Sequence, residues 1–595
     1  MKRQQKTFVG LAVALGLLSG PASAQDVRLE SQAAQGALNA ASLLLSLEDD
    51  AAPQDYVAAA RADYRRLLTA LYAEGYYSGS VSITIDGTEA AAIAPLAAPS
   101  QIGQVVITVD PGPQFRFGEV ALAPLPPEAV INPNLAAGQP ARSGEIQTAV
   151  REVASAWRDL GYAKVAVDSQ RITAQHDTER LNVVVTFDTG PQLRFGALNV
   201  AGNENVSDDR VRQIAGLPEG TTFSPEELTR AERRLRRTGT FASVAFTEAD
   251  DIGPNDTLAI NAQLSEAKPR RVGFGIELSS IEGLTLSSFW LHRNFLGGAE
   301  QFRAEAEVAG IAGETGGIDY RIGASFNRPA VFGPDTDYFF TGEISREDEP
   351  DFLIDKIAFE TGFSRIVTED LTVRAGVGLL SAREETDVET REYTLLSLPL
   401  DATLDRRDDP TNANEGYYVD LSATPFISTD GEIAGTRVYG DVRGFLTVGE
   451  AERLTFAGRG QVGSVMGADL TEAPADFLFY SGGGGTVRGQ PYRALGVETL
   501  QGMDLVTTGG TSFLGAQLEA RYLIHDNIAL VGFYDIGHVG ETSTPTEGGD
   551  WHAGTGLGVR YNTGIGPIRL DLGTPASGDD AFGAVQVYIG IGQAF

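Results

Sequence analysis

The sequence contains no cysteine, which excludes disulfide bonds, cysteine-ligated zinc and a thiol nucleophile. It has only five histidines, whose spacing matches no metal-binding pattern, and it lacks a Gly-x-Ser-x-Gly nucleophile elbow. Basic residues are outnumbered by acidic ones, 46 to 80, and the resulting net charge of −34 disfavours nucleic-acid binding. We therefore expect no enzymatic activity, no metal and no cofactor.

Long apolar runs are also lacking beyond the N-terminus. Residues 1–24 combine a basic start, an apolar stretch from Phe8 to Leu18 and small residues at 22–24, which predicts a secretory signal peptide. After it, only residues 90–109 are uncharged over a membrane-length window, and prolines interrupt that window. We expect an exported chain without a membrane-spanning helix.

A pattern of amphipathic segment, glycine corner and two alternating strands occurs three times before residue 268. The corners are Gly75, Gly161 and Gly239, and each is expected to end a helix in the left-handed conformation. A second repeat agrees, because Asp110–Gly118 (DPGPQFRFG) returns 78 residues later as DTGPQLRFG. This duplication predicts three α+β domains of order strand-helix-helix-strand-strand, at residues 25–111, 112–190 and 191–267. The alternative is a generic α+β repeat that only separates other parts of the protein.

From residue 268 to residue 595, apolar and polar residues alternate between turn residues. In the segment 371–377, for example, Leu371 and Val373 alternate with Thr372 and Arg374. At roughly 20 residues per strand and connection, this region accommodates a transmembrane antiparallel β-barrel of about 16 strands. A soluble β-sandwich is the alternative reading of the same alternation.

One segment of the barrel region has a different composition, Ser481–Tyr492 with the sequence SGGGGTVRGQPY. A glycine run is commonly a surface loop. Two later strands, however, place Glu519 and Asp535 on the face opposite their apolar residues. An arginine folded back into a barrel needs such partners, so Glu519 and Asp535 are the predicted luminal carboxylates for Arg488.

The glycine-rich segment and three later motifs resemble those of a known protein family. GGTVRG at 484–489, together with FYDIG at 533–537, GLGVR at 556–560 and GPIRLD at 566–571, resembles the barrel of the BamA/TamA superfamily of outer-membrane assembly proteins. Gln490 stands where that superfamily usually has an aromatic residue. The duplicated domains resemble polypeptide-transport-associated (POTRA) domains.

The resemblance implies a set of site residues. The inserted-loop motif comprises Gly484, Gly485, Thr486, Val487, Arg488 and Gly489, and a barrel turn motif comprises Asp405, Arg407, Asp408 and Gly416. The last strand carries Gly590 and Gly592, which weaken it because glycine has no side chain to pack. Its terminal Phe595 resembles the sorting signal of bacterial outer-membrane barrels. The first and last strands are expected to form a weak seam.

Three POTRA domains favour the TamA branch of the superfamily, since BamA-type proteins usually carry five and two-partner secretion pores carry two. By this resemblance the protein assembles other outer-membrane proteins, autotransporters among them, with its barrel in the outer membrane and its POTRA domains in the periplasm. The implied partners are an inner-membrane-anchored TamB-like protein, client outer-membrane proteins and outer-membrane lipid. A two-partner-type secretion pore or a passive porin is the alternative.

Overall fold

The computed structural model of the chain describes residues 26–48, 51–94, 97–127, 132–279, 283–313, 316–349, 352–386, 389–449, 452–493, 495–501, 504–545, 547–563, 566–578 and 581–591. The predicted signal peptide, Gly592 and Phe595 lie outside these residues. The chain forms two compact units. The first consists of residues 1–195, 220–226 and 253–257, and the second of residues 196–219, 227–252 and 258–595.

The first unit begins with a four-stranded sheet of order β1-β4-β2-β3. Its elements are β1 (Asp26–Ser31), α1 (Gln35–Ala41), α2 (Pro53–Ala73), β2 (Ser80–Ile85), β3 (Thr88–Glu89) and β4 (Gln104–Asp110). Helix α2 packs its apolar face, including Leu67 and Leu71, against Ile83 and Ile107 of the sheet. The alternation of apolar residues in the strands thus supplies one face of the core.

A three-stranded sheet of order β5-β7-β6 follows in the same unit. It is formed by β5 (Arg116–Ala123), α3 (Ser143–Asp159), β6 (Ala166–Gln175) and β7 (Arg180–Asp188). Where the repeat pattern predicts a first helix, the described residues contain one 3₁₀ turn, Pro133–Leu135. Proline removes a backbone donor and restricts the residue before it, which limits helix formation in this proline-rich stretch.

The repeated DPGPQFRFG-type segment makes the same joint twice. The amide of Phe115 donates to the carbonyl oxygen of Gly75 at 2.9 Å, and the amide of Leu193 donates to that of Gly161 at 2.8 Å. Both glycines have positive φ angles, as does Gly239, so the prediction of left-handed helix ends is confirmed. The sequence repeat therefore reflects a repeated backbone joint.

A third small sheet, of order β8-β10-β9, precedes the barrel. It comprises β8 (Arg194–Ala201), α4 (Asp208–Ala215), α5 (Pro225–Arg237), β9 (Phe241–Glu248) and β10 (Thr257–Glu266). In the second unit, Arg234 of α5 forms a paired contact with Asp335 in a barrel turn, with Nη2 and Oδ2 2.6 Å apart. Burial raises the pKa of Asp335, but the hydrogen bonds and charges of Arg234 and Arg237 outweigh it and hold that pKa below its ordinary value.

The second unit continues into a closed antiparallel barrel. Its strands are β11 (Arg270–Ser279), β12 (Gly283–His292), β13 (Gln301–Ile311), β14 (Asp319–Arg328), β15 (Thr336–Asp348), β16 (Leu353–Ile366), β17 (Leu371–Glu385), β18 (Thr390–Ser397), β19 (Leu400–Asp405), β20 (Gly416–Ser428), β21 (Ala434–Val448) and β22 (Leu454–Met466). A separate hairpin of β23 (Val497–Gln501) and β24 (Asp504–Thr508) intervenes. The barrel resumes with β25 (Ser512–His525), β26 (Ile528–Gly540), β27 (Asp550–Thr563), β28 (Gly566–Pro575) and β29 (Gln586–Ile591).

Seventeen of these segments form the ring, and β18 and β19 share one position because both pair with β17 and β20. The described barrel therefore has sixteen strand positions, which confirms the prediction of about 16 strands. Apolar residues such as Leu518 and Tyr522 face outward, whereas Gln517 and Glu519 are buried inside. Among the described residues, no helix is both long enough and apolar enough to cross a membrane.

Candidate functional site

A long segment between adjacent barrel strands folds into the lumen. Strands β22 and β25 pair directly, with Ser464 facing Ser512, although residues 467–511 separate them along the chain. Isolated bridges join Phe479 to Gly510 and Ser481 to Leu495, so the segment returns on itself inside the barrel. We call residues 467–511 the inserted loop, and the glycine-rich sequence Ser481–Tyr492 forms its tip.

The tip has a compact backbone that requires glycine. Gly489 has a φ angle of 94°, and a side chain there would also collide with the carbonyl oxygen of Thr574. On the facing wall, a side chain at Gly554 would collide with the carbonyl oxygen of Arg488. Glycines on both sides therefore allow the loop backbone to lie directly on the barrel wall.

Arg488 is completely buried at this contact. Its Nε donates to Asp535 Oδ2 at 2.7 Å and its Nη2 to Asp535 Oδ1 at 2.9 Å, a two-pronged contact. Its Nη1 donates to Glu519 Oε1 at 2.6 Å, and its guanidinium carbon lies 3.8 Å from the centre of the Phe533 ring. The structure thus brings together Arg488, Glu519 and Asp535, the three charged residues that the sequence singles out.

Three further charged residues complete the cluster, and sequence reasoning missed their role. Asp571 lies 3.4 Å from Nη1 of Arg488 and pairs with Arg560, which also reaches Glu519 at 3.3 Å. Arg521 pairs with Glu519 at 2.8 Å. Because three guanidiniums balance three carboxylates, each buried charge has an opposite partner. The alternation of the two strands was the sequence signal that could have found these residues. Arg560 and Asp571 alternate with exposed Val559, Leu570 and Leu572, so their side chains face the lumen.

The other motif residues also contact the wall. Gln517 donates to the carbonyl oxygen of Thr486 at 2.8 Å, and Arg459 donates to that of Gly485 at 3.0 Å. Val487 is fully buried beside Gly537, where an added Cβ would lie 2.9 Å from the valine Cγ2. Gly484 lies beside the ring of Tyr588 in the last strand. Gln490, at the unusual position, donates to the carbonyl oxygen of Ala553 at 2.9 Å and so docks by a hydrogen bond.

The base of the inserted loop is bound to a different part of the wall. Arg391 of β18 donates to the carbonyl oxygens of Thr471 at 2.8 Å and Ala473 at 2.7 Å. Glu384 of β17 accepts from the amide of Ala475 at 3.1 Å. Apolar loop residues pack with inward side chains of the wall in one core: Phe352, Ile354, Ala382, Tyr393, Leu395, Phe426, Val465, Ala468, Ala473, Ala475, Leu478, Phe479, Val497, Phe513 and Val539. The loop therefore spans the lumen from β16–β18 to β25–β29.

The predicted turn motif lies between β19 and β20. Nη2 of Arg407 donates to Asp405 Oδ2 at 2.8 Å, and Asp408 accepts from the amides of Asn414 at 2.9 Å and Glu415 at 3.0 Å. Gly416 has a φ angle of 92°, and a side chain there would collide with the carbonyl oxygen of Arg406. The motif therefore organises a turn and makes no contact with the Arg488 cluster.

The described pairing between β11 and β29 stops partway along the two strands. In the described residues it consists of two pairs, Leu278 with Ile589 and Ser279 with Tyr588, whereas β28 and β29 share six. The ladder does not continue at Glu277 and Gly590, although both positions are described. Gly590 thus lies immediately after the last residue of β29 that is paired with β11 in the described structure. In the described part of the chain, no group of three His, Asp or Glu side chains could hold a metal ion.

Comparisons with known proteins agree with this architecture. Residues 294–595 match the model of the Omp85 superfamily domain, and residues 193–267 match a POTRA model described as a surface antigen variable number repeat. The outer membrane protein assembly factor BamA of Neisseria meningitidis serogroup B is 24% identical over 199 residues. That match covers 32% of this chain and only 25% of the BamA sequence.

Two solved structures share the fold at low identity. BamA from Haemophilus ducreyi lacking POTRA domains 1–3 aligns with a TM-score of 0.64 at 16% identity, covering 80% of this chain and all of that one. CdiB from Acinetobacter baumannii aligns with a TM-score of 0.50 at 13% identity, covering 80% of this chain and 89% of CdiB. Since the superfamily match alone extends over half of the chain and contains the inserted loop with its arginine cluster, the chain belongs to the Omp85 superfamily.

Proposed function

We propose that this protein is an assembly factor of the TamA type, which inserts client β-barrel proteins and autotransporters through its own seam. The barrel lies in the outer membrane and the POTRA domains in the periplasm, in keeping with its superfamily. We assign residues 25–111, 112–190 and 191–267 to three POTRA domains and residues 268–595 to the barrel. This count of three supports the TamA type.

The early end of the pairing between β11 and β29 is the observation that carries the proposal. All ten residues of β11 pair with β12, whereas among the described residues only Leu278 and Ser279 of β11 pair with β29. Among the described residues, Glu277 and Ile276, which precede the paired Leu278 in β11, are not paired with β29. Unpaired backbone groups at a strand edge form a template for an incoming strand. A client strand can therefore pair with β11 once β29 moves aside, which is β-augmentation within a membrane.

The inserted loop occupies the lumen, which argues against a passive porin. The inserted loop packs a hydrophobic core against the wall on one side and buries the Arg488 cluster on the other. A porin needs an open aqueous path, and a secretion pore of the two-partner type needs one during transport. A seam that opens sideways requires no such path and no covalent chemistry.

The proposed partners follow from this arrangement. Client strands meet the seam, and outer-membrane lipid surrounds the exposed apolar residues of the barrel, such as Phe274 and Leu557. The POTRA domains are the surface that an inner-membrane-anchored TamB-like protein would bind in the periplasm. A nucleic-acid partner is disfavoured by the net charge of −34.

A cysteine pair across the seam tests the proposal. Because Gly592 lies outside the described residues, the pair is best placed at Leu278→Cys and Ile589→Cys, which face each other across the two strands. The chain has no native cysteine, so only the engineered disulfide can form. We expect client assembly to stop on oxidation and to recover with a reductant.

A matched control joins the same first strand to its other neighbour, through Ile276→Cys and Leu286→Cys. That ladder stays closed in the proposed mechanism, so its disulfide should leave assembly intact. Full assembly by quantitatively oxidised seam protein would refute seam opening and favour a closed secretion pore.

A further inference from the structure

The last strand has a side chain that reaches the inserted loop. Tyr588 of β29 faces Ser279 of the first strand on one side and Asp571 of β28 on the other. Its side chain is buried, and its hydroxyl accepts a hydrogen bond from the amide of Gly489 at 3.1 Å while donating to Gln586 Oε1. One of the two described seam pairs therefore contains the residue that the inserted loop holds.

The amide of Gly489 is a fixed point inside the barrel. The preceding residue, Arg488, is tied to β25 through Glu519 and to β26 through Asp535. The following residue, Gln490, is bonded to Ala553 in β27. The base of the loop is bonded to β17 and β18 through Glu384 and Arg391. A bond to Gly489 therefore connects the last strand to walls that do not belong to the seam.

We propose that Tyr588 is a positioning residue that latches the last strand to the inserted loop, so that a docked loop holds the seam closed. This inference rests on the proposed function, because the seam is the route proposed for clients. Release of the loop tip removes the bond to Tyr588, so the loop no longer supports the pairing of β29 with β11. The seam then opens more readily.

The tested change is Tyr588→Phe, which deletes the hydroxyl and keeps the ring beside Gly484. It leaves the buried amide of Gly489 without this partner, and loss of one such hydrogen bond shifts the ratio of open to closed seam by about tenfold, or about 1.4 kcal/mol. Seam closure is read from the initial rate of disulfide formation between Leu278→Cys and Ile589→Cys under limiting oxidant. We expect a slower rate, because fewer molecules hold the two strands together.

Two controls separate a latch from general destabilisation. Tyr534→Phe deletes a hydroxyl on the exposed outer face of β26 and should leave the seam rate unchanged. The rate at Ile276→Cys and Leu286→Cys, between β11 and β12, should also stay unchanged in Tyr588→Phe, since that ladder does not depend on the loop.

A double-variant comparison tests whether Tyr588 acts through the loop. Arg488→Ala releases the loop tip and should slow seam cross-linking like Tyr588→Phe. The double variant should slow seam cross-linking little more than either single variant, because both substitutions break the same connection. Two independent structural effects would instead be additive. If Tyr588→Phe does not fold, Arg488→Ala by itself tests the latch. An unchanged rate of seam cross-linking after release of the loop would contradict it.

An unchanged seam rate in Tyr588→Phe, or full additivity with Arg488→Ala, would overturn the inference. These results are separable from failure of the proposed function. Oxidised Leu278→Cys/Ile589→Cys protein that still assembles clients refutes seam opening as the client route, whatever the cross-linking rates are. Blocked assembly together with an unchanged Tyr588→Phe rate refutes the latch alone.

Discussion

Substituting Arg488 by alanine should undock the tip of the inserted loop while the barrel stays folded. The guanidinium is fully buried and bonds Asp535 through two nitrogens and Glu519 through a third. Removing one partner of a buried ion pair costs about 3–5 kcal/mol, because the remaining charge is uncompensated. The three acids of the cluster are shielded from solvent, so we expect the full range to apply.

The cost arises mainly at Asp535. Glu519 keeps Arg521 at 2.8 Å and Arg560 at 3.3 Å after the substitution. The hydrogen bonds to the Asp535 carboxylate within the described structure all come from Arg488, and only the one from the backbone amide of residue 488 would survive in Arg488→Ala. Adding Asp535→Asn removes the stranded charge, so the double variant should lose only about 1–2 kcal/mol.

Loop opening is measurable by trypsin cleavage after Arg493, which lies in the loop and contacts Glu349 at 3.2 Å. When opening precedes cleavage, the cleavage rate reports the free energy of opening, and 3 kcal/mol corresponds to a rise of about a hundredfold. Client assembly should fall in parallel. Arg346→Ala, which removes a half-exposed arginine paired with Asp355 at 3.4 Å, is the matched control and should change neither.

If trypsin cleaves Arg488→Ala at a rate within twofold of that of the unsubstituted protein, and client assembly is intact, Arg488 does not anchor the loop. If Arg488→Ala/Asp535→Asn opens as readily as the single variant, the cost does not come from a stranded carboxylate.

The remaining predictions concern the two ends of the barrel. Deletion of Phe595 should lower the amount of protein in the outer membrane more than the stability of the inserted barrel, because one aromatic side chain adds modest burial but completes the predicted sorting signal; equal amounts of deleted and intact protein in membrane fractions would contradict this. Arg234→Ala should loosen α5 from the barrel turn at Asp335, seen as faster amide hydrogen exchange in α5. Since the pKa of Asp335 is held below its ordinary value, its contribution is fully present above about pH 4 and is lost as the pH falls through the lowered pKa. Asp335→Asn should abolish this acid dependence of exchange, and an unchanged dependence would mean that another group titrates.

Much of the local structure could be predicted because it depends on short-range chemistry. The glycine corners at Gly75 and Gly161 adopt the left-handed conformation that ends a helix, since only glycine reaches it without strain. Strict alternation in Ser512–His525 determines which side chains face the lumen, because successive strand residues point to opposite faces. Alternation alone was therefore sufficient to place Glu519 and Asp535 on the inner face. Within residues 112–190 the repeat pattern predicts a first helix, whereas the described residues contain one 3₁₀ turn there, Pro133–Leu135, and prolines in that stretch limit helix formation.

Which residues gather around Arg488 depends on closure of the barrel, and the sequence alone did not predict it. Asp571 and Arg560 lie 83 and 72 residues beyond Arg488, and no local rule relates such distances to contact. The ring brings β25, β26, β27 and β28 together, and the glycines at 554 and 573 leave room for the loop backbone. Strand register likewise decides that the first and last strands meet at Leu278 and Ile589, and that Tyr588 points at Gly489. Alternation by itself thus determined which residues face inward, whereas only tertiary closure determined which of them meet, because pairing register and loop insertion are set by contacts across the whole barrel.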